Sequence, residues 1–301
     1  MKKISDILAQ QDRTFSMEFF PPKTDKGRDN LYENTAALSV LEPDYISVTY
    51  GAGGSTSKTT KEIINELYRK FGWACMHHLT LVNQRKEILA EIIREIKADD
   101  ICNILALRGD PTEEMAGEFQ KVEGGVEFCH ELIDLIREIG GDYFSIGVAG
   151  FPEVHPDCPS PELDAEYLKM KIDHGADFVV TQYFFRNEAY AEYLERTRKV
   201  GVNVKIVPGV LPITDYDRLL RFSALCGANV PDEIHETFAP LKDNREETIK
   251  KGTELAIKQC EGLLALGAPG IHFYTLNKAE PVTTIWNHLM AASPRPQAEQ
   301  G

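Results

Sequence analysis

The chain has 301 residues, 43% hydrophobic and 27% charged, with a net charge of −14 and an isoelectric point near 5.1. This is ordinary globular composition with length for a large core, and the acidic balance argues against non-specific binding of nucleic acid or anionic membranes. The six cysteines, Cys75, Cys102, Cys129, Cys158, Cys226 and Cys260, form no Cys-x-x-Cys pair, so neither a zinc or iron–sulfur site nor a disulfide framework is expected.

Met1-Lys2-Lys3 opens with basic charge, but Ser5, Asp6, Gln10 and Gln11 deny it the apolar core of a signal peptide. No transmembrane span is legible, and a reduced cytoplasm is the expected compartment. Phe15 to Phe20 reads as a first strand, stopped by Pro21-Pro22. Glu18 is an acid inside that otherwise mostly apolar run. Asp29 to Val40 reads as a helix and Tyr45 to Tyr50 as strand two. Gly51-Ala52-Gly53-Gly54 follows, then a helix with Ile63, Ile64, Leu67 and Tyr68 on one face. Trp73 to Thr80 is strand three. Asn83 is placed to cap a helix whose stripe is Ile88, Leu89, Ile92, Ile93 and Ile96.

Asn103 to Leu107 is a fourth strand, apolar after Asn103, and it breaks into Arg108-Gly109-Asp110. An apolar strand ending in charge suits a parallel sheet covered on both faces, its charged end opening into a site. Pro111 to Gly125 is polar and loop-like, and Val126 to Ile139 is helical. Ser145 to Gly150 is strand five, followed by the loop Phe151-Pro152-Glu153-Val154-His155-Pro156. Helices near Glu162 to His174 and Glu188 to Val200 flank strand six, Phe178 to Tyr183. Lys205 to Val210 is strand seven, followed by a helix near Tyr216 to Leu225. Pro231 to Pro240 is a short extra segment and Asn244 to Leu266 a long helix. Ile271 to Leu276 is strand eight, with a last helix near Glu280 to Leu289 and a frayed tail after Ser293.

Strands alternating with helices, without a composition break, predict an α/β fold with one domain over residues 1–301, a (β/α)8 TIM barrel. A doubly wound open sheet is the runner-up. Thr49, His78, Asp110, His155 and Gln182 sit late in their strands or just after, where barrel sites form. Glu18 and Tyr274 lie deeper and must point inward to join them. Gly51 to Thr56 fails as a dinucleotide fingerprint, because Thr56 stands where the third glycine belongs. Adjacent His77 and His78 point to opposite faces of a strand and cannot share a metal. Glu153 and His155 lack a convincing third ligand. A working acid at Glu18 needs a raised pKa and a basic atom to protonate.

In order along the chain come Ser16-Met17-Glu18-Phe19-Phe20-Pro21-Pro22, Val48-Thr49-Tyr50-Gly51, His78-Leu79-Thr80, Leu107-Arg108-Gly109-Asp110 and Pro152-Glu153-Val154-His155-Pro156. Thr181-Gln182-Tyr183-Phe184-Phe185, Pro208-Gly209-Val210-Leu211-Pro212 and His272-Phe273-Tyr274-Thr275-Leu276-Asn277 follow. This ordered set resembles the methylenetetrahydrofolate reductases, in their short bacterial form, over residues 14 to about 289. The resemblance implies an FAD-containing barrel that reduces 5,10-methylenetetrahydrofolate to 5-methyltetrahydrofolate with electrons from NADH or NADPH. By position, Glu18 is the general acid that protonates N10, and Asp110 contacts the pterin near the flavin. Gln182, Phe222, Tyr274 and Lys278 fall at substrate positions. Thr49, Tyr50, Ala52, His78, Arg108, Gly109, Asp110, Phe151, His155, Asp164 and Lys171 fall at flavin positions. Arg108 and Lys171 would offset pyrophosphate charge. No metal is implied, since the hydride is the flavin's task.

The chain departs from the family's pattern at four positions. Phe151 replaces a common tyrosine. Tyr167 and Met170 stand where the enterobacterial form is polar or basic, and Lys278 stands for an arginine, a point charge for a bidentate fork. A homo-oligomer is expected. One alternative makes the chain the flavin subunit of a larger electron-transfer complex, with a partner protein supplying electrons. Another makes it a pterin-binding methyltransferase barrel without flavin.

Overall fold

In the computed structural model, which describes residues 1–22, 24–50, 57–110 and 119–292, the apolar runs become strands of one parallel sheet. The strands are β1 Thr14–Phe19, β2 Tyr45–Val48, β3 Ala74–Thr80, β4 Asn103–Leu107, β5 Ser145–Gly150, β6 Phe178–Thr181, β7 Lys205–Val207, β8 Gly209–Val210 and β9 Gly270–Tyr274. Their order is β7-β6-β5-β4-β3-β2-β1-β9-β8, each pair parallel. The helices are α1 Ile4–Gln10, α2 Asp25–Ser39, α3 Ser57–Phe71, α4 Lys86–Ala98, α5 Cys129–Gly140 and α6 Pro161–Asp173. They continue with α7 Asn187–Lys199, α8 Tyr216–Cys226, α9 Asp232–Phe238, α10 Arg245–Ala265 and α11 Glu280–Ala292. The glycine run from Gly51 and the tail from Ser293 lie outside the described residues.

The expected eight-stranded barrel is present with one change, a ninth strand. The stretch Lys205 to Val210 is two strands, not one. Pro208 carries no N–H and cannot continue a ladder. Before it, Lys205–Val207 pairs with β6; after it, Gly209–Val210 pairs with β9. The two ends of the sheet therefore meet on one kinked segment, and the barrel nearly closes. Side chains finish the closure. The Gly209 N–H donates to Thr181 Oγ1 at 2.9 Å, and the Tyr274 hydroxyl donates to the Thr181 carbonyl at 2.8 Å. A Cβ on Gly209 would stand 2.4 Å from the Thr181 carbonyl and 2.5 Å from the Tyr274 ring, so only glycine fits there.

Alternation sorts the core into two layers. Outward residues such as Phe15, Met17, Ile46, Val48, Ile104, Ile146 and Phe273 pack beneath the helices. Inward residues Tyr45, Ala74, Met76, Leu105, Phe178, Val180 and Val207 fill the barrel together with Ile4, Ile7 and Leu8 of α1. Helix α1 was not foreseen. It plugs the barrel's N-terminal end, and its first amides are capped by the barrel itself. The Ile4 N–H donates to Asn103 Oδ1 at 2.7 Å, and the Ser5 N–H to Ser145 Oγ at 3.0 Å. Each buried aliphatic of α1 contributes roughly 1.5–3 kcal/mol. Asn83 is not the cap expected for α4. It takes φ +58° in the preceding turn, and Arg85 occupies the N-cap. The extra segment after Pro231 is α9 and a 3-10 turn, packed through Ile234 and Phe238 against Leu211, Ile213 and Tyr216.

Candidate active site

Above the apolar plug the barrel interior turns polar. Register sets Ser16 beside both Tyr45 and His272, and Glu18 beside Ser47 and Tyr274. Glu18 is 4% exposed. Its Oε2 accepts a hydrogen bond from Ser47 Oγ at 3.2 Å and lies 3.4 Å from His272 Nε2. His78 Nε2 stands 3.3 Å away, off the line of a hydrogen bond. These residues come from β1, β2, β3 and β9, and can meet only inside the barrel. Glu18, His78 and Tyr274 thus point inward, as the site required. His77 takes the other face, its ring 6.1 Å from Tyr50.

The protonation of Glu18 differs from expectation. Burial alone pushes its carboxyl up and is the largest single influence. The electrostatic pull of His78, then the hydrogen bond and pull of His272, together outweigh it and hold the carboxyl at about 2, against an ordinary 4.5. A carboxyl in an apolar pocket would have risen; this one shares its pocket with two imidazoles. All these contacts fall on Oε2. Among the described residues none falls on Oε1.

A second group gathers on the rim after β4 and β5. Gly109 takes φ +86°, and a Cβ there would press within 2.6 Å of Val82 Cγ1. That turn sends Arg108 to an ion pair with Asp157 and over the Phe119 ring at 5.2 Å. His155 Nδ1 accepts from the Asp157 N–H at 3.0 Å, and its ring meets Phe151 edge-on at 4.6 Å. Burial, with Arg108 and Lys171 adding to it, pushes the His155 pKa down. Asp164 is 7% exposed; burial pushes its carboxyl up against the pull of Lys171. Lys171 Nζ donates to the Ala149 carbonyl at 3.1 Å, leaving donors to spare. Asp110 follows Gly109 at the exposed end; crowding by the chain around its carboxyl pushes it up while Arg108 pulls it down. Thr49 continues the β1–β2 ladder, its N–H bonded to the Phe19 carbonyl at 2.9 Å, and Tyr50 is buried. Thr80 Oγ1, at the end of β3, is buried with no hydrogen-bond partner. Ala52 lies outside the described residues. Tyr167 and Met170 are exposed on α6.

A third group lines a cavity of about 370 Å³ next to the barrel mouth. Lys278, Arg218 and Arg245 converge there with Asn30, Asn34 and Thr214. Lys278 Nζ donates to Thr214 Oγ1 at 2.9 Å. Burial first, then Arg218 and Arg245, push its pKa down. Phe222 joins this group through Arg218, whose guanidinium sits 5.0 Å over its ring. Gln182 directly follows β6, its side-chain oxygen accepting its neighbour Tyr183's N–H at 3.0 Å. Arg218, Arg245, His272, Asp157 and Arg196 were not singled out from sequence. Arg196, on α7, donates to the Phe151 and Pro152 carbonyls at 2.9 and 2.6 Å and so holds the loop that carries His155. Its signal was absent, since an arginine in a charged helix reads as surface. His272 did carry one: it is a histidine within a strand, in the position two residues before Tyr274 that alternation turns inward.

Comparison with known proteins places these sites in context. The family model for methylenetetrahydrofolate reductase matches residues 3–290. A bacterial relative, the 5,10-methylenetetrahydrofolate reductase of Pectobacterium carotovorum, is 37% identical over 268 residues, 88% of this chain and 86% of its own length. A rice relative named as a probable methylenetetrahydrofolate reductase (NADH) is 38% identical over 96% of this chain but 50% of its own length. The chain spans about half the length of the plant and yeast relatives it matches. Among solved structures, an uncharacterized Clostridium thermocellum protein that binds two copies of 5-methyl-5,6,7,8-tetrahydrofolic acid shares the fold. Its TM-score is 0.68 at 15% identity, covering 95% of this chain and 98% of that one.

Proposed function

The chain belongs to the methylenetetrahydrofolate reductase family, and we propose that it reduces 5,10-methylenetetrahydrofolate to 5-methyltetrahydrofolate with FAD as cofactor and NADH or NADPH as electron source. The observation that carries this reading is Glu18. It is a single carboxylate in the polar layer of the barrel, held on Oε2 by its neighbours, with Oε1 left to a ligand.

The rim fits a flavin dinucleotide. Lys171 has spare donors, and both it and Arg108 act on His155, two cations suited to pyrophosphate. Thr80 Oγ1 is a buried polar atom without a hydrogen-bond partner at the end of β3, where a polar ring edge would satisfy it; His78, two residues before it, faces Glu18. Thr49, Tyr50, Gly109, Asp110, Phe151, His155 and Asp164 complete the rim, and Ala52 follows Tyr50 in sequence. When bound, FAD supplies the two-electron hydride chemistry that amino-acid side chains lack. The residues do the rest. Glu18, an anion in the ligand-free protein, takes up a proton once bound folate covers its pocket and adds to its burial, and hands that proton to N10 of the methylene bridge, turning a poor leaving amine into a good one. Asp110 and Gln182 hold the pterin, and Phe222 stacks on the benzoyl ring. Lys278, with Arg218 and Arg245, takes the glutamate carboxylates of the substrate. We assign the whole of residues 1–301 to one flavin-binding domain acting in the cytoplasm.

Anaerobic mixing tests the assignment. The purified protein should be yellow and release FAD on denaturation. NADH or NADPH should bleach it, and methylenetetrahydrofolate should restore the colour. A colourless protein, or bleaching that folate does not reverse, overturns the reading.

A further inference from the structure

His272 is 0% exposed, yet both of its ring nitrogens are engaged. Nδ1 lies 2.8 Å from Ser16 Oγ, and Nε2 lies 3.4 Å from Glu18 Oε2. The Tyr45 ring stacks along the imidazole at 6.3 Å and Tyr274 meets it edge-on at 5.4 Å, so the ring has one plane available. We propose that His272, oriented by Ser16, is a positioning residue that governs when Glu18 takes up and releases its proton. The inference rests on the reductase reading only for what that proton is used for.

A serine hydroxyl either donates or accepts. When the imidazole is neutral, Ser16 donates to Nδ1, and Nε2 keeps its hydrogen toward Glu18. When the imidazole is charged, Nδ1 donates to Ser16, and Nε2 again faces Glu18 with a hydrogen. In both charge states Oε2 meets an N–H, and the bond strengthens when the ring is charged. Oε1 is spared, so one oxygen of the carboxyl senses the imidazole while the other meets the ligand. A serine–histidine–carboxylate chain of this kind has no nucleophilic use here, because Ser16 lies at the far end, away from the mouth. The titratable groups around the pair are Tyr45 of β2, His78 of β3 and Tyr274 of β9, with the Ser16 and Ser47 hydroxyls beside them. Among them His78 alone is a second source of positive charge. It differs from His272 in standing off the hydrogen-bond line, where its pull on Glu18 is electrostatic and acts beside that of His272.

Infrared difference spectroscopy reads this directly, without turnover. The protonated-carboxyl band of Glu18 is identified by its loss in Glu18→Gln. In the wild type the band should appear only in strong acid. In His272→Gln, which keeps a donor but carries no charge, its midpoint should rise by at least about one pH unit, roughly tenfold in proton affinity. Ser16→Ala removes only the Nδ1 partner and should give a smaller rise, and it decides the matter if His272→Gln does not fold. Midpoints unchanged in every variant that folds overturn the proposal. In stopped flow, His272→Gln should displace the pH profile of folate reduction and leave reduction of the flavin by its donor where it was; coincident folate profiles also overturn it. A wild type that never reduces folate refutes the reductase reading, while the infrared titration still decides this one.

Discussion

The Tyr274 hydroxyl donates a hydrogen bond to the Thr181 carbonyl at 2.8 Å, across the gap that Pro208 opens between β6 and β9. A side chain thus supplies the link that a backbone ladder cannot. It also fixes the ring that borders His272 and faces the Glu18 layer. Tyr274→Phe keeps the ring and leaves the Thr181 carbonyl without that donor. The loss should be about 1–3 kcal/mol. Urea denaturation checks it: the midpoint should fall while the slope, set by exposed surface, stays the same. An unchanged midpoint would mean that the Pro208 gap needs no tie.

Gly109→Ala should disturb the rim and not the barrel. At φ +86° an added Cβ is strained, and it would lie 2.6 Å from Val82 Cγ1 and 2.9 Å from Thr80 Cβ. The cost should be about 1–3 kcal/mol, with Arg108 and Asp110 carried off their positions. Titrating FAD into apoprotein measures it. Affinity should drop at least tenfold, and wild-type affinity would remove Gly109 from the cofactor site.

Lys171→Ala removes a cation that sits beside Asp164 and has donors to spare. If the ammonium meets pyrophosphate, the lost charge-assisted contact is roughly 1.5–3 kcal/mol, one to two decades in FAD affinity. Folate affinity of the reloaded enzyme should change less. Equal losses for both ligands would place Lys171 in the scaffold.

Much of this molecule could be read from its sequence, for identifiable reasons. Parallel strands buried on both faces are continuous apolar runs, and β4 stood out that way after Asn103. Glu18 was legible because an acid in such a run is rare. What failed had mixed signals. The stretch Lys205 to Val210 is apolar enough for one strand, and only the missing N–H of Pro208 divides it. Helix α1 has Ile4, Ile7 and Leu8 at helical spacing, but seven residues among polar neighbours give a weak pattern. The proton affinity of Glu18 could not be read at all, because it depends on His78 and on His272, the latter 254 residues away in sequence. Arg218, Arg245 and Lys278 likewise become one site only when α8, α10 and the end of β9 are brought together.

Glu18 should also leave a mark on acid stability. Its folded-state pKa is depressed, so the unfolded chain binds the proton more readily. The stability it contributes is present above the ordinary value of 4.5 and is lost as pH falls toward about 2. A shift of that size is worth about 3 kcal/mol. Denaturant melts across this window should therefore show a steeper loss for wild type than for Glu18→Gln. The same variant, assayed by half-reactions, should lose about two to four decades in folate reduction, the scale of a missing general acid. Reduction of the flavin by its donor involves no proton at N10 and should hold. Parallel melts would mean that the imidazoles do not depress the carboxyl, and equal kinetic losses would mean that Glu18 supports the flavin.

Lys278 shares its cavity with Arg218 and Arg245. Three cations around about 370 Å³ repel one another, which is why the Lys278 pKa is pushed down once burial has acted. An anion relieves that repulsion, so ligand binding should draw the Lys278 pKa up. Lys278→Ala removes one of three charges and a hydrogen bond to Thr214. It should weaken binding of a substrate with a glutamate tail by about tenfold, near 1.4 kcal/mol, and the loss should shrink as salt rises. Binding of a pteridine fragment without the tail should be the same in both proteins. Lys278→Arg should restore affinity, since a guanidinium fork suits a carboxylate at least as well as an ammonium. Isothermal titration of the oxidised protein against both ligands separates the outcomes. If the fragment weakens as much as the full substrate, Lys278 acts on the barrel mouth at large, and the tail belongs elsewhere.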